Sequence, residues 1–249
     1  LARDGAWPAR QPAPAEDEAV GGIRIEDVTL VRGAARIFEG LTLNLAESRI
    51  GLIGDNGAGK SSLFRLISGL DKPQQGRVVV SGAASSGHVG LMFQNPDDQI
   101  IFPTVAEELV FSLTARGEPR QAARQQALDF LAERGLSAWA GRSVGELSQG
   151  QRQQVCLMAL QISEPRTLLL DEPYASLDLL SQARLAEQIE RSRQQIIVST
   201  HLLEHVQDFE RVLWLDEGRV RADGPGREVC EAYAADVRGR ARAERGNHA

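Results

Sequence analysis

The stretch GDNGAGKSS, residues 54–62, spaces Gly54, Gly59, Lys60 and Ser61 as G-x4-G-K-S. Glycines let consecutive backbone N–H groups turn inward around the oxygens of an anion. A helix that starts directly after them adds its partial positive charge. A lysine in this position reaches the outer phosphates of a nucleoside triphosphate, and the hydroxyl beside it is a ligand for Mg2+. The candidate binding residues are Gly54, Asn56, Gly57, Ala58, Gly59, Lys60, Ser61 and Ser62. The bland alternative is a glycine-rich turn. Context argues against it: the apolar run RIGLIG leads in, and KSSLFRLISGL leads out with Leu63, Leu66, Ile67 and Leu70 at helical spacing.

Other short apolar runs also end in groups of a useful type. TLLLDEP ends at Asp171, which can hold Mg2+, followed by Glu172, a carboxylate able to take a proton from an attacking water. HVGLMFQ ends at Gln94, whose amide can position the metal or water, and QIIVSTH ends at His201, which can reach a terminal phosphate. A lone histidine is more often structural, and an acidic pair at a strand end can merely cap the next helix. Convergence is the stronger argument. Open parallel sheets bind ligands at the carboxyl ends of their strands, and four such ends here each deliver one polar group. The chemistry implied is nucleoside triphosphate hydrolysis.

One further polar cluster, LSQGQ at 147–151, opens a long helical pattern. Ser148 and Gln151 have the spacing of a capping box, in which two side chains satisfy orphan N–H donors of the helix. That local reading accounts for the start of the helix without any ligand.

The elements that must position these groups follow from periodicity. IRIEDVTLV and LTLNLAE alternate apolar and polar residues, as half-exposed antiparallel strands do. TLLLDEP and QIIVSTH are continuous apolar runs suited to strands buried on both faces of a parallel sheet. SLDLLSQARLAEQIERSRQ between them predicts a crossover helix, and RVLWLDEGRVRADG predicts a hairpin turning at Glu217-Gly218. Pro103 to about Ala140 is rich in helix formers. The reading is an α/β fold: a parallel-sheet core with an antiparallel β subdomain and a helical subdomain over about 95–165. Residues 1–20, rich in Ala, Pro and charge, read as a flexible tail. Residues 21–235 read as the folded domain, and 236–249 as an Arg-rich tail, solvated or a frayed helix.

A chain of 249 residues, 42% hydrophobic and 25% charged, has the composition of an ordinary globule. Its net charge of −6 argues against a nucleic-acid surface. No run approaches the roughly 18–20 apolar residues of a membrane span. Two cysteines far apart in sequence, Cys156 and Cys230, fit a reducing compartment, with Cys156 as a small core residue of a helix.

These pieces, in this order, resemble the ATP-binding-cassette (ABC) ATPases. Residues 54–61 match the Walker A loop, Gln94 the Q-loop, LSQGQ the signature, 167–171 the Walker B strand with Glu172 after it, SLD at 176–178 the D-loop, and His201 the switch histidine. The resemblance implies that ATP and Mg2+ are bound. It makes Glu172 the catalytic carboxylate, with His201 and Gln94 at the reacting phosphate and Ser61, Gln94 and Asp171 around the metal. It also implies that Ser148, Gly150, Gln151 and Asp178 serve the ATP of a partner subunit. Two positions depart from the pattern. The usual first glycine of the signature is Gln149. No aromatic to stack on adenine is found near 30–33, where Arg32 offers a guanidinium plane instead.

The segment FQNPDDQIIFPTVAEELVF, 93–111, is similar to the ATPases of energy-coupling-factor (ECF) vitamin and metal importers. Within that group the phosphate loop and LLLDEPYASLDL look most like those of biotin importers, with cobalt or nickel importers as the nearest alternative. The resemblance implies a second ATPase subunit, a membrane scaffold (T) subunit and a separate substrate-capture (S) subunit, at the cytoplasmic face of the cell membrane. Two rivals from other classes are a soluble ATPase of chromosome or repair type and a nucleotide kinase. The former carries long coiled-coil insertions, where this chain has a compact one. The latter has no use for LSQGQ, Gln94 or the D-loop.

Overall fold

The computed structural model describes residues 22–81 and 89–246; the tail read over 1–20 lies outside them. The described strands and helices in chain order are β1 (Ile23–Arg32), β2 (Ala35–Leu45), β3 (Arg49–Ile53), α1 (Lys60–Ile67), β4 (Gln75–Val80), β5 (Val89–Met92), α2 (Val105–Thr114), α3 (Arg120–Glu133), α4 (Gln149–Ile162), β6 (Thr167–Asp171), α5 (Leu179–Arg191), β7 (Gln195–Ser199), β8 (Arg211–Asp216), β9 (Arg219–Gly224) and α6 (Gly226–Gly246). The described residues divide into two compact units, one made of those up to Ser81 and from Gln195 onward, the other of those between them.

The first unit contains two layers of strands. β1 pairs antiparallel with β2 and with β4, and its alternating residues Ile23, Ile25, Val28 and Leu30 are buried. β3 lies between β7 and β8 and is parallel to both. The residues of β7 and those of β3 from Ile50 onward are buried throughout, as expected of strands covered on both faces. β8 and β9 form the predicted hairpin. Glu217 and Gly218 both have positive φ, 46° and 75°, the geometry of a two-residue type I′ turn. α1 buries Leu63, Phe64, Leu66 and Ile67. Leu70 departs from the expected stripe: the helix ends at Ile67, Gly69 turns the chain with φ 76°, and Leu70 is left 53% exposed.

A buried cation of β8 ties β9 and the end of β2 together. Arg211 is 7% exposed; its guanidinium grips both oxygens of Asp223 at 2.7 Å, reaches Glu47 at 3.1 Å and donates to the Asn44 carbonyl at 2.5 Å. Those partners satisfy the charge that burial would otherwise penalise.

The second unit has a parallel pair, β5 with β6, and a helical core. Val105, Leu109 and Leu113 of α2 recur every four residues, as do Ala123, Ala127 and Leu131 of α3. They pack in one cluster with Val155, Met158, Ala159 and Ile162 of α4. The side chains of Thr104, Ser148 and Asp178 cap α2, α4 and α5. Cys156 lies in α4, buried and free, as expected. The helical stretch read over about 95–165 is thus part of a larger unit that also carries β6 and α5.

At the C-terminus, α6 runs without interruption through residue 235, where the domain was read to end. Among the described residues no helix is long and apolar enough to cross a membrane.

Candidate functional site

In the first unit the phosphate loop leaves the end of β3. Gly54, Gly57 and Gly59 have φ of 144°, 82° and 107°, a region that side chains with a Cβ rarely adopt. Gly54 has no alternative: a Cβ there would stand 2.1 Å from the Leu215 carbonyl oxygen. The loop is pinned by the β8–β9 turn, where the Gly218 N–H donates to the Ala58 carbonyl at 3.1 Å. Lys60 is 9% exposed, and its ammonium donates to the carbonyls of Gly54 (2.7 Å) and Asp55 (3.1 Å). Ala58 and Ser62 are buried, whereas Asn56, Gly57 and Ser61 face outward.

This arrangement suits a polyphosphate. α1 opens on Gly59, which has no side chain to cap it, and the start of a helix carries partial positive charge that favours an anion. Lys60 supplies a cation, and the Ser61 hydroxyl is a hard oxygen of the type that Mg2+ takes as a ligand. β7 pairs with β3 in the register Leu52↔Ser199. The loop and His201 therefore emerge from the same end of neighbouring strands, His201 exposed and Thr200 fully buried. The Thr200 N–H donates to the Leu52 carbonyl at 3.2 Å, and its hydroxyl accepts from the Leu202 N–H at 3.1 Å.

The second unit repeats the device. β5 and β6 pair in the register Met92↔Leu170, so Gln94 and Glu172 leave matching ends of a parallel pair. Asp171 and Glu172 are 7% and 8% exposed. Glu172 has φ 49°, an uncommon conformation for a residue with a Cβ, and one that clusters at functional positions. Gln94 is exposed. The chain after it is shaped by its own side chains. Asn95 accepts from the Asp97 N–H at 3.2 Å, and Gln99 accepts from the Phe93 N–H at 3.2 Å. The buried Glu108 carboxylate takes the N–H groups of Ile101 (3.0 Å) and Phe102 (2.9 Å).

Ser148, Gly150 and Gln151 form the N-terminus of α4, with Ser148 and Gln149 exposed. A Cβ on Gly150 would touch Leu177 at 3.4 Å. Two glutamines that the sequence reading did not single out tie this helix and α5 to the turn after Glu172. Gln153 of α4 donates to the Pro173 carbonyl, and Gln182 of α5 donates to those of Tyr174 (3.2 Å) and Leu177 (3.1 Å). Asp178 caps α5 by accepting from the Ser181 N–H at 2.7 Å. That bond, with the Ser181 side chain adding to it, holds the Asp178 carboxyl below its usual range.

Each unit therefore gathers its own share of the residues: Gly54 to Ser62 and His201 in the first, Gln94, Ser148, Gly150, Gln151, Asp171, Glu172 and Asp178 in the second. Among the described residues no cluster of three or more His, Cys, Asp and Glu could hold a metal ion by itself. Arg32 is engaged by Asp71, which also receives Arg65 at 3.1 Å.

A glycine loop feeding a helix from the end of a parallel strand is the arrangement of a phosphate-binding α/β fold. Residues 38–175 match the ABC transporter family, and the chain belongs to it as an ATP-binding subunit with ATPase activity. It is 47% identical over 228 residues, 89% of this chain and 97% of the other, to the biotin transport ATP-binding protein BioM of Rhodobacter capsulatus. It is 39% identical to BioM of Rhizobium etli, over 85% of this chain and 97% of that one. Among solved structures it is similar to CbiO1 of Clostridium perfringens, part of the ABC transporter complex CbiONQ. The TM-score is 0.71 at 25% identity, covering 91% of this chain and 97% of that one.

Proposed function

We propose that this chain is the ATPase of an energy-coupling-factor importer and that the imported substrate is biotin. The observation that carries the reading is the 47% identity to a biotin transport ATPase across 97% of that protein's length. In support, a solved relative is described as part of a multi-subunit transporter complex, and the QNPDDQ segment has the form seen in ECF ATPases. In this reading two copies act as a dimer at the cytoplasmic face, beneath a membrane scaffold (T) subunit and a substrate-capture (S) subunit.

The roles follow from chemistry. The loop from Gly54 to Ser62 binds the phosphates of ATP through backbone N–H groups, with Lys60 adding a positive charge. By the family resemblance, Ser61, Asp171 and Gln94 would hold Mg2+. The metal, when bound, withdraws charge from the phosphate oxygens. Glu172 accepts a proton from the attacking water at its carboxylate, and His201 steadies the terminal phosphate by donating from its ring. Ser148, Gly150, Gln151 and Asp178 complete the site of the second copy, so each subunit closes its partner's.

The test is co-expression with scaffold (T) and substrate-capture (S) membrane subunits of biotin and of metal importers, followed by purification from membranes and by uptake of labelled biotin, Co2+ and Ni2+. Biotin accumulation that needs ATP and this chain is expected. Uptake of a metal ion instead would overturn the biotin assignment, and failure to associate with any membrane subunit would overturn the transport reading.

A further inference from the structure

Asp55 is a phosphate-loop residue whose side chain is held from a distant part of the chain. The Tyr233 hydroxyl donates to its Oδ1 at 2.8 Å. Arg240 forks onto both oxygens, with Nη1 on Oδ2 at 2.5 Å and Nη2 on Oδ1 at 3.2 Å. The Asp55 backbone carbonyl, in turn, accepts from the Lys60 ammonium. One residue thus touches α6 with its side chain and the phosphate-binding lysine with its backbone.

The helix is itself anchored. Tyr233, Asp236 and Arg240 lie three and four residues apart and share one face of α6. The Tyr233 ring meets Trp214 of β8 edge-on, with centroids 5.2 Å apart. Asp236 receives Arg240 Nε at 2.8 Å and Arg221 of β9 at 2.7 Å, and Arg221 covers the Trp214 ring at 4.3 Å. Trp214 precedes Leu215, whose carbonyl faces Gly54.

Electrostatics give this network a purpose that stability does not. Arg240 and Asp55 are 49% and 44% exposed, and ion pairs so open to water contribute little to folding. A carboxylate in a loop that takes a polyanion is a different matter, because it repels the ligand. Asp55 is ionised at neutral pH, as an ordinary aspartate is, and the Arg240 fork, with the Tyr233 hydroxyl after it, holds its carboxyl lower still; Arg240 is the counter-charge set against it.

We propose that α6 is a positioning strap for the phosphate loop: Arg240 neutralises Asp55 and, with Tyr233, holds the loop in its anion-binding shape, so nucleotide affinity depends on the C-terminal helix. The inference rests on the loop's holding the nucleotide phosphates. Arg240 and Tyr233 are positioning residues, acting through Asp55.

The experiment measures ADP binding by calorimetry on the full chain, in low and in high salt. Arg240→Ala is expected to weaken ADP binding about five- to tenfold in low salt and less in high salt, as screened charge repulsion requires. Arg240→Lys should retain part of the affinity. Asp55→Asn combined with Arg240→Ala should bind within about twofold of Asp55→Asn alone, because the repelling charge is gone. Thermal midpoints of all variants should stay close to that of the unaltered chain. Unchanged binding by Arg240→Ala would overturn the proposal. So would an equal loss from Arg240→Ala in the Asp55→Asn background, which would make the strap a packing device without a charge role. No ADP binding by the unaltered chain would remove the nucleotide from the loop, and the inference with it.

Discussion

Ser148 and Gln151 satisfy each other at the start of α4. The Gln151 N–H donates to the Ser148 hydroxyl oxygen at 3.3 Å, and the Ser148 N–H donates to the Gln151 amide oxygen at 3.0 Å. The hydroxyl is used here as an acceptor, so its own hydrogen remains for another partner. Ser148 faces outward. Capping the helix and donating to an anion are therefore compatible roles for one side chain.

Ser148→Ala separates the two. Loss of the cap alone costs about 1 kcal/mol of stability, read by urea denaturation. Loss of a donor to a reacting phosphate costs about 10²–10³ in turnover. ATPase activity should fall by roughly a hundredfold. A decrease no larger than fivefold would confine Ser148 to capping.

Glu172→Gln keeps the size of the side chain and its uncommon backbone conformation while removing the proton acceptor. ATP binding should persist, turnover should fall by at least about a thousandfold, and an ATP-bound dimer should accumulate in gel filtration. Normal turnover would exclude Glu172 from proton transfer.

Gly54→Ala places a methyl group against the Leu215 carbonyl, 2.1 Å away before relaxation. Overpacking with backbone strain should lower stability by about 2–3 kcal/mol. The urea midpoint should drop, and ADP binding should weaken with it. A variant of native stability would contradict the close packing described for this turn.

Arg211→Met leaves Asp223 and Glu47 without their shared cation in a buried setting. The expected cost is about 3–5 kcal/mol. Adding Asp223→Asn should recover part of it in the same denaturation assay, since one stranded charge is then gone. A loss under 1 kcal/mol would mean that these carboxylates are solvated well enough without Arg211.

Burial pushes the Cys156 thiol up to about 12 and the Cys230 thiol up to about 11. Both should resist a disulfide reagent at pH 8 in the folded protein and react promptly in denaturant. The sign for stability follows from linkage. The unfolded thiol ionises near 9, so stability is full below that pH and declines as pH rises toward the folded values. A fast native reaction of either cysteine would show that its helix opens readily.

Much of the framework was legible in local pattern. The runs preceding Gly54, Gln94, Glu172 and His201 are strands, and each group does stand at a strand end. The hairpin at Glu217-Gly218 and the capping box at Ser148 were also readable, because each depends on residues close in sequence. Leu70 misled, because helical spacing continued on paper after Gly69 had turned the chain. The extent of the second unit was not readable either, since packing decides which strand travels with which helix. Nor was Gln153, a polar residue in an apolar-periodic helix that the fold employs to hold the Pro173 carbonyl.

By itself the sequence determined the order of the elements and the type of group that ends each strand. It also determined the loop chemistry of residues 54–62, because backbone turning and helix starts are set by neighbours along the chain. Only the tertiary structure decided what surrounds those groups. Asp55 and Arg240 are 185 positions apart, and no local periodicity links them. They meet because β8, the hairpin turn and α6 fold back along β3 and its loop. Whether a charge in the phosphate loop stands alone or is answered by another depends on that packing, which the chain acquires on folding.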